Sequence, residues 1–262
     1  MAGVEIVRRR RATAPATRLE VATLLALLAA WEALGTSGLV YSGVLPSWSA
    51  ILATLARLLL APSFWLALGV TGLEIGLALC VGAVLGVLAG MALGTGSRIG
   101  VGLQRYLHYL ASTPKIIFLP VVFLLFGIGP GSKVAIGAFA CSFPLALGTA
   151  AAMRHIPPVL VRVGQSFRLT RWQMARLVYL PAMLAPIMSA LRIALGIAFA
   201  ACLVAEMRVS NRGLGSLIID SYDHSRFADV YALLIVVIGL AVAGSTLLDR
   251  LARRLSVTTR HR

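Results

Sequence analysis

The chain has 262 residues, of which 59% are apolar and only 13% charged, and its formal net charge is +15. A soluble domain holds roughly 45–50% apolar and about 25% charged residues, so one soluble core cannot hide this much apolar surface. The composition leaves a bilayer as the solvent, in which a spanning helix needs about 20 mostly apolar residues.

A basic tail over residues 1–18 precedes the first apolar stretch, about residues 19–40. That stretch is too long for a signal-peptide core, and no small-residue cleavage site stands out after it. Residues 41–63 read as an outer loop, with Leu45-Pro46-Ser47 and then Trp48–Leu60. The latter piece is amphipathic enough to lie along the membrane surface, with Trp48 at headgroup depth. A charge-free second span covers residues 75–97, and Gly82, Gly86, Gly90 and Gly94 recur along it every four residues. Such a stripe lets another helix approach closely.

The third stretch, residues 104–127, is interrupted by Pro114 and Pro120. Each proline removes a backbone hydrogen bond. Irregular backbone at membrane depth is tolerated where it is buried in protein or lines a water-filled cavity. Lys115 sits between the two prolines. A lysine in a span is costly and is either functional or satisfied by snorkelling or a carbonyl. The fourth span is residues 134–153, and residues 154–180 form the longest inner segment. Pro157-Pro158 punctuate its start and Pro181 its end, with Val159, Val163 and Phe167 at helical spacing and Arg162 and Arg168 interleaved. This pattern predicts a helix lying across the membrane and offering a surface to a soluble partner. The fifth stretch, residues 181–205, carries Arg192 about one-third of the way in. A second outer segment over residues 206–229 holds the turn signal Asn211-Arg212-Gly213-Leu214-Gly215 and then a short helix over Ser216–Tyr222. Residues 230–248 form the sixth span, and 252–262 a basic tail.

The predicted fold class is therefore all-α: a polytopic membrane domain of about six helices over residues 19–251. Placing the N-terminus inside puts 17 of the 24 cations in inner segments and five (Arg57, Lys133, Arg208, Arg212, Arg226) in outer ones. That bias sets both termini in the cytoplasm and accounts for the basic excess without nucleic acid. Lys115 and Arg192 remain as cations within spans, suited to an anionic solute. Glu32 and Glu206 are placed near the outer surface, which leaves Glu74 as at most one deep acid. A proton-coupled carrier would want deep, paired carboxylates. No GxxxxGK[ST], HExxH or GxSxG occurs, so the chain offers no ATPase or hydrolase site of its own. Cys80, Cys141 and Cys202 show no disulfide or metal-ligand spacing.

Several ordered motifs resemble the permease subunit of binding-protein-dependent ABC importers of the nitrate/sulfonate/taurine type. They are Trp31-Glu32, Leu45-Pro46-Ser47, Thr113-Pro114-Lys115-Ile116-Ile117 through Pro120, Phe126-Gly127-Ile128-Gly129 and Ser132-Lys133. Arg171-Trp172-Gln173, Leu180-Pro181-Ala182, Leu191-Arg192-Ile193-Ala194, Val204-Ala205-Glu206-Met207 and Gly213-Leu214-Gly215 follow in order. The resemblance implies the type I importer permease fold and a pathway built by two permease subunits. It also implies two ABC ATPase subunits that bind ATP and magnesium, an extracytoplasmic substrate-binding protein, and no cofactor in this chain. The family's coupling sequence is Glu-Ala-Ala with a Gly four residues after the second Ala. Here Arg162, Val163 and Gly164 stand in place of Glu-Ala-Ala, and Arg168 in place of the Gly. By resemblance the ATPase contact runs over Arg162, Val163, Gly164, Arg168, Leu169, Thr170, Arg171 and Trp172. Pro114, Lys115, Pro120 and Arg192 are then pathway residues. Glu206, Arg212, Asp220 and Arg226 are contacts for the binding protein.

The altered coupling sequence keeps two other readings open. One is a permease-derived scaffold or regulatory membrane subunit. The other is an ion-coupled secondary transporter, which predicts inverted repeats and midplane ion ligands; the sequence has no clear repeat.

Overall fold

A computed structural model describes residues 14–37, 44–95 and 98–260. Residues 1–13 of the basic N-terminal tail, with Arg8 to Arg11, and residues 261–262 of the C-terminal tail lie outside the described residues. The described residues form helices and turns, with no strand among them. They divide into two compact units, one from residues 1–60 and 221–232, the other from 61–220 and 233–262.

The smaller unit holds α1 (Ala14–Thr36), α2 (Trp48–Leu60) and the first turns of α11 (Phe227–Arg260). Its two quoted motifs make one joint. Trp31 Nε1 donates to the Pro46 carbonyl at 3.1 Å, and its ring packs on Trp48 and Tyr231 with centroids 6.0 and 5.7 Å apart. Glu32 accepts from the Trp48 N–H at 2.5 Å and from Ser49 Oγ at 3.3 Å. A carboxylate there meets the unsatisfied N–H groups and the positive dipole end of α2. At the far end of α2, Arg57 pairs with Asp229 at 2.6 Å, in the first turn of α11. As expected, α2 is amphipathic: Ile51 and Thr54 are buried, while Leu52, Leu59 and Leu60 are exposed.

The larger unit is built on α3 (Pro62–Gly94), α6 (Pro130–Arg154) and α9 (Leu180–Val209). The glycine stripe of α3 faces α6. A Cβ at Gly86 would stand 2.6 Å from both the Ser142 carbonyl oxygen and Leu145 Cβ, and one at Gly90 would stand 2.5 Å from the Ala146 carbonyl oxygen. The backbones therefore touch, and dispersion with weak Cα–H···O contacts replaces the hydrophobic drive that lipid cannot supply. On its other side α6 meets α9 through small residues as well. A Cβ at Gly148 would lie 2.7 Å from Ala190 Cβ. Cys141, Leu145, Ala190, Ala194 and Ala198 close this seam.

Three expected boundaries are corrected. First, the second span is longer than its charge-free part: α3 begins at Pro62 and carries Glu74, the acid expected to be deep, buried in protein. Second, Pro114 breaks the third stretch and Pro120 does not. Here α4 (Arg98–Ser112) ends, a 3₁₀ turn follows over Lys115–Phe118, and α5 (Leu119–Phe126) leaves at a bend of 88°. Pro120 lies in the first turn of α5, where its missing N–H has no partner to lose. Third, Pro181 does not end the inner segment. The short α8 (Arg171–Met174), a π turn over Ala175–Tyr179 and α9 run on as one helix of 39 residues. The widened turn absorbs the carbonyl that the proline leaves without a donor. Ahead of it lies α7 (Pro158–Ser166), and beyond α9 comes α10 (Leu214–Asp223). Among the described residues five helices are long and apolar enough to span, or six if the bent α4–α5 pair counts as one.

Gly90→Val places a branched side chain against the α6 backbone and should lower stability by about 1–3 kcal/mol. Gly76→Ala, with nothing within 4 Å of the added Cβ, should not. Thermal midpoints of the purified protein in one detergent compare them; equal midpoints would contradict the backbone contact.

Candidate functional site

A buried polar cluster joins the ends of three helices in the larger unit. Glu206, in the last turn of α9, is 0% exposed. Its carboxylate accepts from Thr71 Oγ1 of α3 at 2.7 and 3.0 Å and from the Gly215 N–H at 2.7 Å. Thr71 Oγ1 in turn accepts from the Leu214 N–H at 2.8 Å. The clamp thus satisfies two of the first N–H groups of α10, which the helix itself cannot. Gly213 has φ +100, and a Cβ there would lie 2.5 Å from the carboxyl carbon of Glu206. Only glycine allows both the backbone angle and the close approach. The motifs Val204-Ala205-Glu206-Met207 and Gly213-Leu214-Gly215 are therefore two sides of one contact.

This overturns two expectations. Glu206 is not a solvated residue of the outer surface, and it presents nothing to a binding protein. Its charge is met by hydroxyl and backbone donors inside the fold. The deep acids also number two among the described residues. Glu74, 2% exposed, lies within hydrogen-bonding reach of Glu206 and leaves Oε2 without a partner. Lys133, counted as an outer-loop cation, is 3% exposed in the first turn of α6 and close enough to act on both carboxyl groups. Its Nζ donates to the carbonyls of Ile128 at 2.5 Å and Gly129 at 3.2 Å. Charge-free gaps could not reveal these residues. The signal was present in Ser132-Lys133, a lysine three residues into an otherwise apolar helix.

Lys115 stands at the bend. Its ammonium donates to the Ala111 carbonyl, one of the last of α4, and lies 5.1 Å from the centroid of the Phe143 ring. A cation at a helix C-terminus and over an aromatic face is favoured on both counts. Beside the bend, α3, α5 and α6 border an apolar cavity of about 780 Å³ lined by Leu73, Leu77, Phe118, Leu125, Val134 and Phe139. Arg192 is elsewhere: it forms an ion pair with Asp249 of α11. Lys115 and Arg192 share no partner among the described residues.

The inner segment folds as α7, a turn and α8. The N–H of Arg168 donates to the Gln165 carbonyl at 2.9 Å, and that of Leu169 to the Gly164 carbonyl at 3.1 Å. These are the two bonds of a Schellman motif, whose extra residue is left-handed and usually glycine. Arg168 holds that place with φ +51. The residue that the resemblance sets against a glycine thus sits at the left-handed position of the turn. Thr170 then opens α8 with a capping box, accepting from the Gln173 N–H while the Gln173 side chain accepts from the Thr170 N–H. Gly164 is buried against Met174. Arg162, Val163, Arg168, Arg171 and Trp172 are exposed, and Phe167 lies in the turn rather than in the helix. Of the outer residues, Arg212 and Asp220 are exposed, and exposed Arg226 pairs with Asp229 at 3.4 Å.

Glu206→Ala would orphan the Gly215 N–H and the Thr71 hydroxyl in the core, at about 1–3 kcal/mol for each group. Arg168→Gly should instead gain about 1 kcal/mol, by removing the left-handed penalty. Chemical denaturation of the purified protein distinguishes the two signs; a destabilised Arg168→Gly would contradict the turn geometry.

Comparison with known proteins agrees with this architecture. Residues 82–261 match the family model for the binding-protein-dependent transport system inner membrane component. The putative aliphatic sulfonates transport permease protein SsuC of Bacillus subtilis is 30% identical over 210 residues, 80% of this chain and 76% of that protein. The taurine transport system permease protein TauC of Escherichia coli is 28% identical over 205 residues, 76% of this chain and 74% of its own length. Among solved structures, a chain of a bacterial alginate ABC transporter, crystallised with its alginate pentasaccharide-bound periplasmic protein, shares the fold. It superposes with a TM-score of 0.63 at 15% identity, over 92% of this chain and 96% of that one. The chain belongs to the binding-protein-dependent transport system inner membrane component family, as an ABC importer permease subunit of the nitrate/sulfonate/taurine type.

Proposed function

We propose that this permease subunit passes a small organic or inorganic anion of the sulfonate kind across a bacterial inner membrane, driven by ATPase subunits docked on α7, the Arg168 turn and α8. The observation that carries the docking is the retained Schellman turn. It holds the segment in its left-handed form although the glycine is gone. Val159, Val163, Phe167 and Trp172 are exposed around it, an apolar surface that a soluble partner can cover. Arg162 and Arg168 make the surface basic, so its counterpart on the ATPase carries acidic groups. ATP and magnesium belong to that partner. A second permease subunit completes the pathway, an extracytoplasmic binding protein delivers the solute, and both termini lie in the cytoplasm with the inner cations.

The solute class is supported by what the relatives are named for, aliphatic sulfonates and taurine. The chemistry at the bend agrees. Lys115 is half-buried and held by a carbonyl and a ring rather than by a carboxylate, so its charge stays available to an anion. Arg192 has its charge met by Asp249 and fits a helix–helix tie better than a pathway role.

Two measurements test the reading. Val163→Asp with Phe167→Asp should abolish co-purification with the partner ABC ATPase subunit, leaving the permease folded; an intact complex would place docking elsewhere. Lys115→Ala should lower uptake of a sulfonate about tenfold, the scale of one lost charge-assisted hydrogen bond. Lys115→Arg should largely preserve uptake, and unchanged uptake in Lys115→Ala would remove Lys115 from the pathway.

A further inference from the structure

A cavity of about 720 Å³ lies where the ends of α3 and α6 meet α7, α8 and the π turn. Met91, Met153 and Met174 stand in its apolar wall, and Gln165, Arg171 and Tyr179 are among its polar lining. Val161 and Gln165, four residues apart, share the face of α7 that borders the cavity. Val159 and Val163 lie about half a turn round the same helix, so the cavity is on the other side of α7 from that exposed apolar pair. We propose that this cavity binds an aromatic organic anion, such as an aryl sulfonate or aryl carboxylate, with Arg171 on the acid group and the three methionines against the ring.

The charge balance asks for an anion. No aspartate or glutamate occurs between Glu74 and Glu206, the stretch that supplies every wall of the cavity. Arg171 is the charged residue of the lining, and its guanidinium has no hydrogen-bond or ion-pair partner among the described residues. By contrast Arg57 and Arg192 are paired with aspartates, and Arg154 donates to Gln104 at 2.7 Å. A planar guanidinium takes an acid group in a bidentate manner and also stacks on aromatic faces. The rest of the wall asks for a ring. Met91 comes from α3, Met153 from α6 and Met174 from α8, so three separate elements bring thioethers to one space. Methionine is adaptable, and its sulfur makes favourable contacts with aromatic rings. Ala175 and Tyr179, the two ends of the π turn, both line the cavity, and such turns recur at functional sites. The volume falls within the range of small-molecule pockets, about 300–1000 Å³, and exceeds what an inorganic anion fills. Lys115 is not in the lining, so the site is separate from the proposed pathway cation. One wall is the docking segment and another the ends of two spanning helices, so an occupant bridges them. That consequence rests on the docking reading; the binding itself does not.

The test titrates naphthalenesulfonate into the full-length chain in phosphatidylcholine nanodiscs, read by calorimetry against empty nanodiscs. Naphthalenesulfonate should bind more tightly than neutral naphthalenesulfonamide, saturated cyclohexanesulfonate or inorganic sulfate. Arg171→Gln should weaken its binding about tenfold, the scale of one charge-assisted hydrogen bond. Val161→Trp, which fills the cavity from α7 and leaves Arg171 in place, should abolish it; thermal midpoints equal to that of the parent protein show that each variant is folded. Lys115→Ala should leave the affinity unchanged, which separates this site from the pathway. Absence of binding overturns the proposal. So does equal affinity for any of the three comparison compounds, binding that folded Arg171→Gln and Val161→Trp leave intact, or binding lost in Lys115→Ala.

Discussion

Everything in the larger unit depends on how closely α3 and α6 approach. Lipid tails are as apolar as leucine, so burying leucine between helices gains little in a bilayer. What remains is contact area, and contact at backbone distance requires positions without side chains. Four glycines at intervals of four supply one such face on α3. The matching face of α6 meets them with Ala138, Cys141, Ser142 and Ala146 and with the stems of Leu145, Thr149 and Met153, and α9 repeats the device with alanines. Backbone contact between the three helices thus depends on omission of bulk. Many of their other large side chains, Leu73, Leu85 and Ile193 among them, are directed outward and are exposed on the single chain.

A polar group buried in such packing is costly unless another answers it. Thr71, Glu206 and the N–H groups of Leu214 and Gly215 answer one another completely. The Lys133 ammonium is spent on carbonyls that the Gly127–Gly129 turn leaves open. Glu32 does for α2 what Glu206 does for α10. In both cases a carboxylate on a spanning helix receives the first turn of a short helix, so a connecting segment is fixed by a side chain rather than by a long stretch of packed loop. The motifs that carry the family resemblance are mostly of this kind: they hold helix ends.

The sequence reading succeeded where a local rule had no competitor. Trp48–Leu60 follows from its amphipathic period, the glycine stripe from its spacing, and the break at Pro114 from the chemistry of proline. It failed where tertiary structure overrode the local rule. Charge was taken as a sign of water, which holds for Arg212 but not for Glu206, whose partner Thr71 is distant in sequence and leaves no trace in periodicity, nor for Lys133, whose ammonium is held by nearby backbone carbonyls. Proline was taken as punctuation, yet Pro120 begins a helix and Pro181 passes through one. The coupling segment shows a third limit of the sequence. The residue at position 168 departs from the family pattern, whereas the turn is held by two backbone hydrogen bonds that any residue can make once it accepts the left-handed angle.

The unbroken course of α8 into α9 has a mechanical consequence. From Arg171 to Glu206 the chain rises about 1.5 Å per residue, roughly 53 Å in all, without a loop to dissipate motion. If it moves as a rod, a tilt of one degree pivoted at Arg171 displaces the Glu206 carboxylate by about 1 Å, a large shift for hydrogen bonds of 2.7 Å. The capped turn at Thr170 and the clamp at Gly213 are then the two ends of one lever, with the π turn over Ala175–Tyr179 and Pro186 as the points along it where bending is easiest.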